Sequence, residues 1–216
     1  MNPTPRDELA DKFRSRISLL DGAAALLEQR VTEALSTTHH VDRISFRVKD
    51  PVSFAKKCLA DDGSPATGED GVPKYREPLE EVEDQIAGRV LVFFRSDLPV
   101  VEARIREWFH ASVETQRKRP SSADAFGYES DHYIFVIDEH MKPAGWDSAG
   151  PMPTTFELQI RTLFMHAYAE PQHDLGYKGS DLPTDVRRRL AWIAASAWGA
   201  DTQLDDLYLN HQPSEL

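Results

Sequence analysis

The chain reads as an α/β protein: one domain, with a mixed β-sheet of about five strands flanked by helices. Three observations point there. Its 216 residues are enough for one such domain with a proper core plus helical additions. Short period-2 runs at Ile44–Lys49, Ile86–Phe94, His132–Asp138 and Thr155–Arg161 are interleaved with helical spacing. Both ends of the chain are helical, and no internal repeat or linker marks a second domain. The expected organisation is an N-terminal helical extension over 1–40, a core over 41–180 and a C-terminal helix over 181–216 that packs on the core.

The elements follow in order. Residues Arg6–Leu35 carry Leu9, Phe13, Ile17, Leu20, Ala24, Leu27, Val31 and Leu35 at helical spacing, an amphipathic packing helix with a bend expected near Asp21-Gly22. His39 and His40 follow in a loop. No further ligands stand at metal spacing, so they read as solvent-exposed histidines. After the strand Ile44–Lys49, Pro51 opens a short helix, Val52–Leu59. Asp61–Val72, rich in Gly, Asp, Ser and Pro, is a flexible loop. A short helix from Pro78 to about Glu83 leads into the strand Ile86–Phe94, and Asp97 starts a helix that runs through Phe109. Gln116–Ala125 reads as a basic, then polar, loop. After the strands His132–Asp138 and Thr155–Arg161, Thr184 or Asp185 is placed to cap a long helix reaching about Leu209. Trp192, Ile193, Ala195 and Trp198 are expected on it as core residues.

Composition narrows the class. No run approaches the ~18 apolar residues of a membrane span, and the opening MNPTPRDELADKF shows no apolar signal segment. A single cysteine, Cys58, excludes an internal disulfide framework and fits a reducing cytoplasm. It sits in an apolar helical pattern, as a small core residue rather than a nucleophile. The net charge of −11, from 36 acidic and 25 basic side chains, is opposite to that of proteins living on duplex nucleic acid. The charge is uneven, however. Cations cluster at 43–57, 104–119 and 187–189 while acids crowd 61–84, which permits a cationic pocket for a polyanionic small ligand.

Four constellations carry chemistry. In FELQIRT, strand alternation puts Glu157, Gln159 and Arg161 on one face and Phe156, Leu158 and Ile160 on the other. Taken alone, this is an active-site floor or an amphipathic edge strand with a solvated face. Arg47 and Lys49 share a strand face, and Ser53 and Lys57 share the next helix face at i, i+4. Cations and a hydroxyl so converge where a strand feeds a helix, a place suited to a triphosphate; scattered surface charge is the alternative. Asp84 and Arg89 flank the start of an apolar strand, where an acid can ligate Mg²⁺ and an arginine can stack on a purine or pair with phosphate. Gly127-Tyr128-Glu129-Ser130-Asp131-His132 presents an aromatic at a turn, a platform for a base or a ring folded back on the core, with His132 able to donate to phosphate. The sequel to FELQIRT runs on to Glu170, His173, Tyr177 and Lys178.

Laid out in order, these residues resemble the RelA/SpoT-type alarmone synthetase domain. The family's R-x-K-x-x-x-S-x-x-x-K is matched by Arg47, Lys49, Ser53 and Lys57, and its D-x-x-A-x-R by Asp84, Ala87 and Arg89. G-Y-x-S-x-H is matched by Gly127, Tyr128, Ser130 and His132, E-x-Q-I-R-T by Glu157, Gln159, Ile160, Arg161 and Thr162, and H-x-x-x-Y-K by His173, Tyr177 and Lys178. The resemblance implies a nucleotidyltransferase-like synthetase fold. It also implies transfer of the β,γ-pyrophosphate of ATP to the ribose 3′-hydroxyl of GDP or GTP, yielding (p)ppGpp, with no accompanying hydrolase domain. Arg47 and Arg89 would then sandwich adenine, and Lys49, Ser53 and Lys57 would hold phosphates. Asp84 and Glu157 would be the catalytic carboxylates and Mg²⁺ ligands. Tyr128, His132, Gln159, Arg161 and His173 would serve the acceptor. Before Tyr128, where the family often carries Lys and Asn, this chain has Ala123, Asp124, Ala125 and Phe126. Tyr168 replaces a frequent Trp, and Pro171 is expected to interrupt the following helix. These departures keep a second acceptor class open, that of toxic small synthetases that modify the tRNA 3′ CCA end or make adenosine alarmones beside a protein antitoxin. The family resemblance also makes a homo-oligomer conceivable, and a third reading is a silent nucleotide-binding module.

Overall fold

Five strands form one sheet in the order β1-β2-β5-β4-β3. The computed structural model describes residues 3–109, 112–118, 125–127, 130–174 and 182–211. The strands are β1 (Val41–Val48), β2 (Ile86–Val92), β3 (Ser112–Lys118), β4 (Ser130–Val136) and β5 (Thr155–Thr162). β2 and β5 pair in parallel at the centre, and the other neighbours are antiparallel. A parallel pair needs a long crossover. Here it is α5 (Asp97–Trp108) followed by the β3-β4 pair.

Strand alternation divides the sheet into an apolar and a polar face. Phe46, Ile86, Val90, Tyr133, Phe135, Phe156, Leu158 and Ile160 point one way, into a core completed by α2 (Ile17–Ala34) and α5. From α2 come Leu20, Ala23, Leu27 and Val31, and from α5 Val101 and Ile105. Gly88 is fixed by this packing. A Cβ there would lie 2.4 Å from Phe46 Cζ and 2.8 Å from Leu158 Cδ1, so only glycine lets the Phe46 ring cross β2. Cys58 is buried in the same core, as expected, and burial pushes its thiol up to about 12.

The N-terminal helix is two helices. α1 (Pro5–Arg14) begins with a capping box between Thr4 and Asp7, and the chain breaks at Ser15-Arg16 rather than at Asp21-Gly22. Ser15 Oγ and Arg16 NH1 each donate to the Lys12 carbonyl at 2.8 Å and satisfy the end of α1. Gly22 lies inside α2, where its bare backbone lets Pro143 approach. His40 is not a solvent-exposed loop residue. Its Nδ1 lies 3.1 Å from Asp97 Oδ1, and its ring meets Phe94 and Tyr208 edge-on. His39 is exposed.

The first three residues of the stretch read as a basic loop, Gln116–Lys118, end the edge strand β3 (Ser112–Lys118), and 119–124 lie outside the described residues. Ser-Val-Glu-Thr-Gln-Arg-Lys shows no apolar alternation, because pairing with β4 places it rather than burial of one face. The short helix after the 61–72 loop is α4 (Pro78–Glu81), and a tight 3₁₀ turn, Glu83–Gln85, carries the chain into β2.

α3 (Pro51–Cys58) matches its expected span. α6 (Leu163–Asp174) follows β5 directly and runs through Pro171 without interruption. The missing N–H of that proline removes only the bond to the Ala167 carbonyl, one turn from the helix end. α7 (Thr184–Asn210) has Pro183 at its cap position, so neither Thr184 nor Asp185 caps it. Trp192, Ile193 and Trp198 are exposed (72, 47 and 38 %) and Ala195 is half-buried, against the expectation of core residues. The helix packs against α6, burying Ala194, and a narrow polar stripe further along it completes the docking. Asp201 accepts from Thr162 Oγ1 at 2.5 Å, Asp205 accepts from Ser96 N and Oγ at 2.9 and 2.7 Å, and Tyr208 stacks on Phe94. These positions share one side of the helix at near-heptad spacing. Among the described residues no helix is long and apolar enough to cross a membrane.

Candidate active site

The polar face of the sheet collects the residues singled out from sequence. Two rows cross it in register: Arg47, Ala87, Glu157, Ile134 and Glu114, then Ser45, Arg89, Gln159, His132 and Gln116. Directly paired residues share a face. Glu157, Gln159 and Arg161 therefore stand between the cationic β1-β2 edge and His132 on β4.

At one end, Asp84 sits on the 3₁₀ turn that enters β2. Gln85, fully buried beside it, anchors the turn by donating to the Leu79 carbonyl at 3.0 Å. Lys49 is brought near by the continuation of β1, its backbone N–H donating to the Gln85 carbonyl at 2.9 Å. Lys57 arrives from α3, whose N-cap Asp50 accepts from Ser53 N at 2.9 Å. Lys49 Nζ lies 2.7 Å from Asp84 Oδ2 and Lys57 Nζ 2.8 Å from Oδ1. Burial pushes the Asp84 carboxyl up, but the two ammonium groups outweigh it and hold the group below the usual carboxylate range. For Lys57 burial acts downward, and Asp84 more than reverses it. Both directions describe the same ionised pair.

In the middle, Glu157 Oε2 lies 3.3 Å from His132 Nδ1 and its Oε1 accepts from Gln159 Nε2. Burial raises this carboxyl as well, and the contacts to His132 and Gln159 outweigh it, so Glu157 also lies below its ordinary value. The charge of Asp84 acts on it in the opposite sense, so the two carboxylates are electrostatic neighbours. Gln159 Oε1 in turn accepts from Arg161 NH2, and Arg161 Nε lies 3.3 Å from Ser130 Oγ. Beside this row, Ser45, Arg47, Ala87, Arg89 and Gln159 wall a cavity of about 170 Å³. Arg47 and Arg89 stand diagonally across the β1-β2 pair at this cavity.

Asp84, Lys49, Lys57, Glu157, Gln159, Arg161, Arg89, Arg47 and His132 thus belong to one face. His132 lies beside Glu157 in the floor, with 6 % of its side chain exposed. Ser53 shares the α3 side of Lys57 but stands exposed in the first turn. Tyr128, Tyr177 and Lys178 lie outside the described residues, and of His173 only the helical backbone is described. Sequence reasoning missed two neighbours. Tyr75, from the loop before α4, interacts with Lys57, and burial pushes its phenol up; nothing periodic in that loop marks it. His166 lies one helical turn before Glu170, 3.6 Å from its carboxylate, and that i, i+4 spacing was the available signal.

Asp84 and Glu157 offer hard oxygen donors held in the ionised form, which suits Mg²⁺. That ion is usually bound through one or two carboxylates plus substrate phosphates rather than an all-protein cage. No group of three or more His, Cys, Asp or Glu side chains is assembled for a metal among the described residues.

The architecture is that of solved small alarmone synthetases. Small alarmone synthetase 1 from Bacillus subtilis superposes with a TM-score of 0.67 at 21 % identity, covering 93 % of this chain and 97 % of that one. The same protein bound to its product pppGpp gives 0.66 at 18 % identity, with the same coverage. A GTP pyrophosphokinase family protein from Streptococcus pneumoniae gives 0.67 at 20 %, covering 91 % and 93 %. In sequence, GTP pyrophosphokinase YjbM of Bacillus subtilis (strain 168) is 28 % identical over 134 residues, 60 % of this chain and 61 % of that protein, so the match spans about three-fifths of the relative's length. The model of the region found in RelA / SpoT proteins matches residues 46–181, and the chain belongs to that family.

Proposed function

We propose that the protein is an ATP-dependent pyrophosphokinase that transfers the β,γ-pyrophosphate of ATP to the ribose 3′-hydroxyl of GDP or GTP. The observation that carries this reading is the continuous polar face on which Asp84–Lys49–Lys57, Glu157–His132–Gln159 and the Arg47/Arg89 cavity stand side by side in a RelA/SpoT chain. The similar proteins named for GTP pyrophosphokinase and small alarmone synthetase activity support it.

In this reading the adenine enters the cavity between Arg47 and Arg89, whose guanidinium faces stack on it. Lys49 and Lys57 neutralise the phosphate chain. The acceptor oxygen forms a bond to the β-phosphorus, the bond from that phosphorus to the α,β-bridging oxygen breaks, and AMP leaves with the electron pair. Glu157 orients the acceptor hydroxyl and takes its proton. Its depressed pKa makes it a weak base, so orientation is its larger share, as fits a loose transition state in which proton transfer lags. Asp84 and Glu157 would hold Mg²⁺, which supplies charge neutralisation on the transferring phosphates when bound.

The test is incubation with γ-³²P-ATP and GDP, GTP, AMP or deacylated tRNA as separate acceptors. Label in GDP or GTP that disappears with Glu157→Gln is expected. Label confined to tRNA or AMP overturns the guanine acceptor, and no label in any acceptor overturns the enzyme.

A further inference from the structure

Two arginines face the same end of the polar face, Arg89 on β2 and Arg161 on β5, and their positive charges would repel if left to themselves. One carboxylate oxygen lies between them. Glu170 Oε1, two turns into α6, is 2.8 Å from Arg89 NH2, 3.6 Å from Arg161 NH1 and 3.6 Å from His166 Nδ1. Arg161 keeps only 6 % of its side chain exposed and Arg89 23 %, whereas Glu170 keeps 48 %. The carboxylate therefore reaches in from the rim to two largely buried guanidinium groups. α6 follows β5 without a loop, so its angle over the sheet places residue 170 there.

The geometry matters for Arg89 because a guanidinium has two kinds of surface. Its N–H edge takes hydrogen bonds, and its flat face stacks on aromatic rings. A carboxylate on the NH2 edge fixes the plane and does not occupy the face, and Arg89 lines the cavity it shares with Arg47. Through Arg161 the same oxygen meets the chain of side chains that runs to Gln159 Oε1 and on to Glu157. We propose that Glu170 is a positioning residue that holds Arg89 in its stacking orientation for the donor base and steadies the Arg161–Gln159–Glu157 row. This rests on the reading of the Arg47/Arg89 cavity as the ATP site.

Two measurements separate the inference from that reading. Binding of a non-hydrolysable ATP analogue is titrated calorimetrically for wild type, Glu170→Ala, Arg89→Ala and the double variant, and label transfer is followed in parallel. Glu170→Ala should weaken analogue binding about tenfold, equivalent to about 1.4 kcal/mol. It should raise KM for ATP more than KM for the acceptor, since Glu170 is closer to Arg89 than to Arg161, and Glu170→Gln, which keeps one acceptor oxygen in place, should recover most of the loss. In the Arg89→Ala background, Glu170→Ala should add little, since contacting residues are not additive. Equal effects in both backgrounds, or unchanged analogue affinity in Glu170→Ala or, if that variant does not fold, in Glu170→Ser, overturn the proposal. Wild type that binds the analogue but labels no acceptor overturns the pyrophosphokinase reading and leaves the role of Glu170 standing. Wild type that does not bind the analogue overturns both.

Discussion

The two faces of β5 carry three groups each, the apolar ones fully buried and the polar ones less completely so, and they are held by different physics. Phe156, Leu158 and Ile160 are 0, 0 and 2 % exposed. Opposite them, the Glu157 side chain keeps 16 % and that of Arg161 6 %. On the apolar face contact is non-directional, and each buried side chain contributes roughly 1.5–3 kcal/mol. On the polar face each group is placed by a particular donor or acceptor on a neighbouring element, and burial there is a cost that only those partners offset. Stability and chemistry are thus divided by the period of one strand. Substitutions one residue apart should separate them.

The sharpest separation is expected from Glu157→Gln and Phe156→Ala. The first keeps shape and volume, loses the contact to His132, and also relieves repulsion from Asp84. Pyrophosphate transfer should fall by about 10²–10⁴-fold while the melting temperature stays close to wild type. The second empties a site that touches Phe46, Phe109 and Phe135 and should cost about 3–5 kcal/mol in denaturant unfolding. A Glu157→Gln protein that unfolds, or a Phe156→Ala protein of native stability, would break the division of labour between the faces.

Gly88→Ala tests the same division at the point where the sheet is thinnest. The new methyl group meets the Phe46 ring and Leu158 on the apolar side, while Ala87 and Arg89 on either side of it face the cavity. Overpacking should cost about 1–3 kcal/mol, read as a lower unfolding midpoint with unchanged slope. A methyl accepted without loss would mean that Phe46 is free to move, and that the close β1-β2 packing is not what specifies glycine here.

What was legible in the sequence follows from which signals are local. The alternation of FELQIRT has a period of two and survives in any register, so both faces of β5 could be assigned from it. The i, i+4 spacing of Ser53 and Lys57 likewise fixes a helix face. Register between distant segments is not local. Nothing in the order of residues pairs His132 with Gln159, or sets the Glu157 carboxylate beside the His132 ring, until β4 and β5 are aligned. β3 escaped because an edge strand held by its ladder needs no apolar period. The tryptophans of α7 misled for a related reason: hydrophobicity marks what can be buried, whereas the small Ala194 against α6 and the partners of Asp201, Asp205 and Tyr208 decide which side docks.

The smallest expected effect concerns the charge of the polar face as a whole. Asp84 and Glu157 both have folded pKa values below their ordinary ones. Each therefore stabilises the fold above the unfolded carboxylate value, near 4, and that contribution is lost as pH falls through the lower folded value. The wild-type melting temperature should accordingly drop as the pH is lowered below about 4, and the drop should be shallower in Asp84→Asn/Glu157→Gln, which removes both titrations. The apolar face does not titrate, so Phe156→Ala should shift the whole curve down without changing its slope. Identical acid slopes for wild type and the double carboxylate variant would show that the lysine and histidine partners do not hold these groups ionised. The polar face would then lack the electrostatic distinction drawn between the two sides of β5.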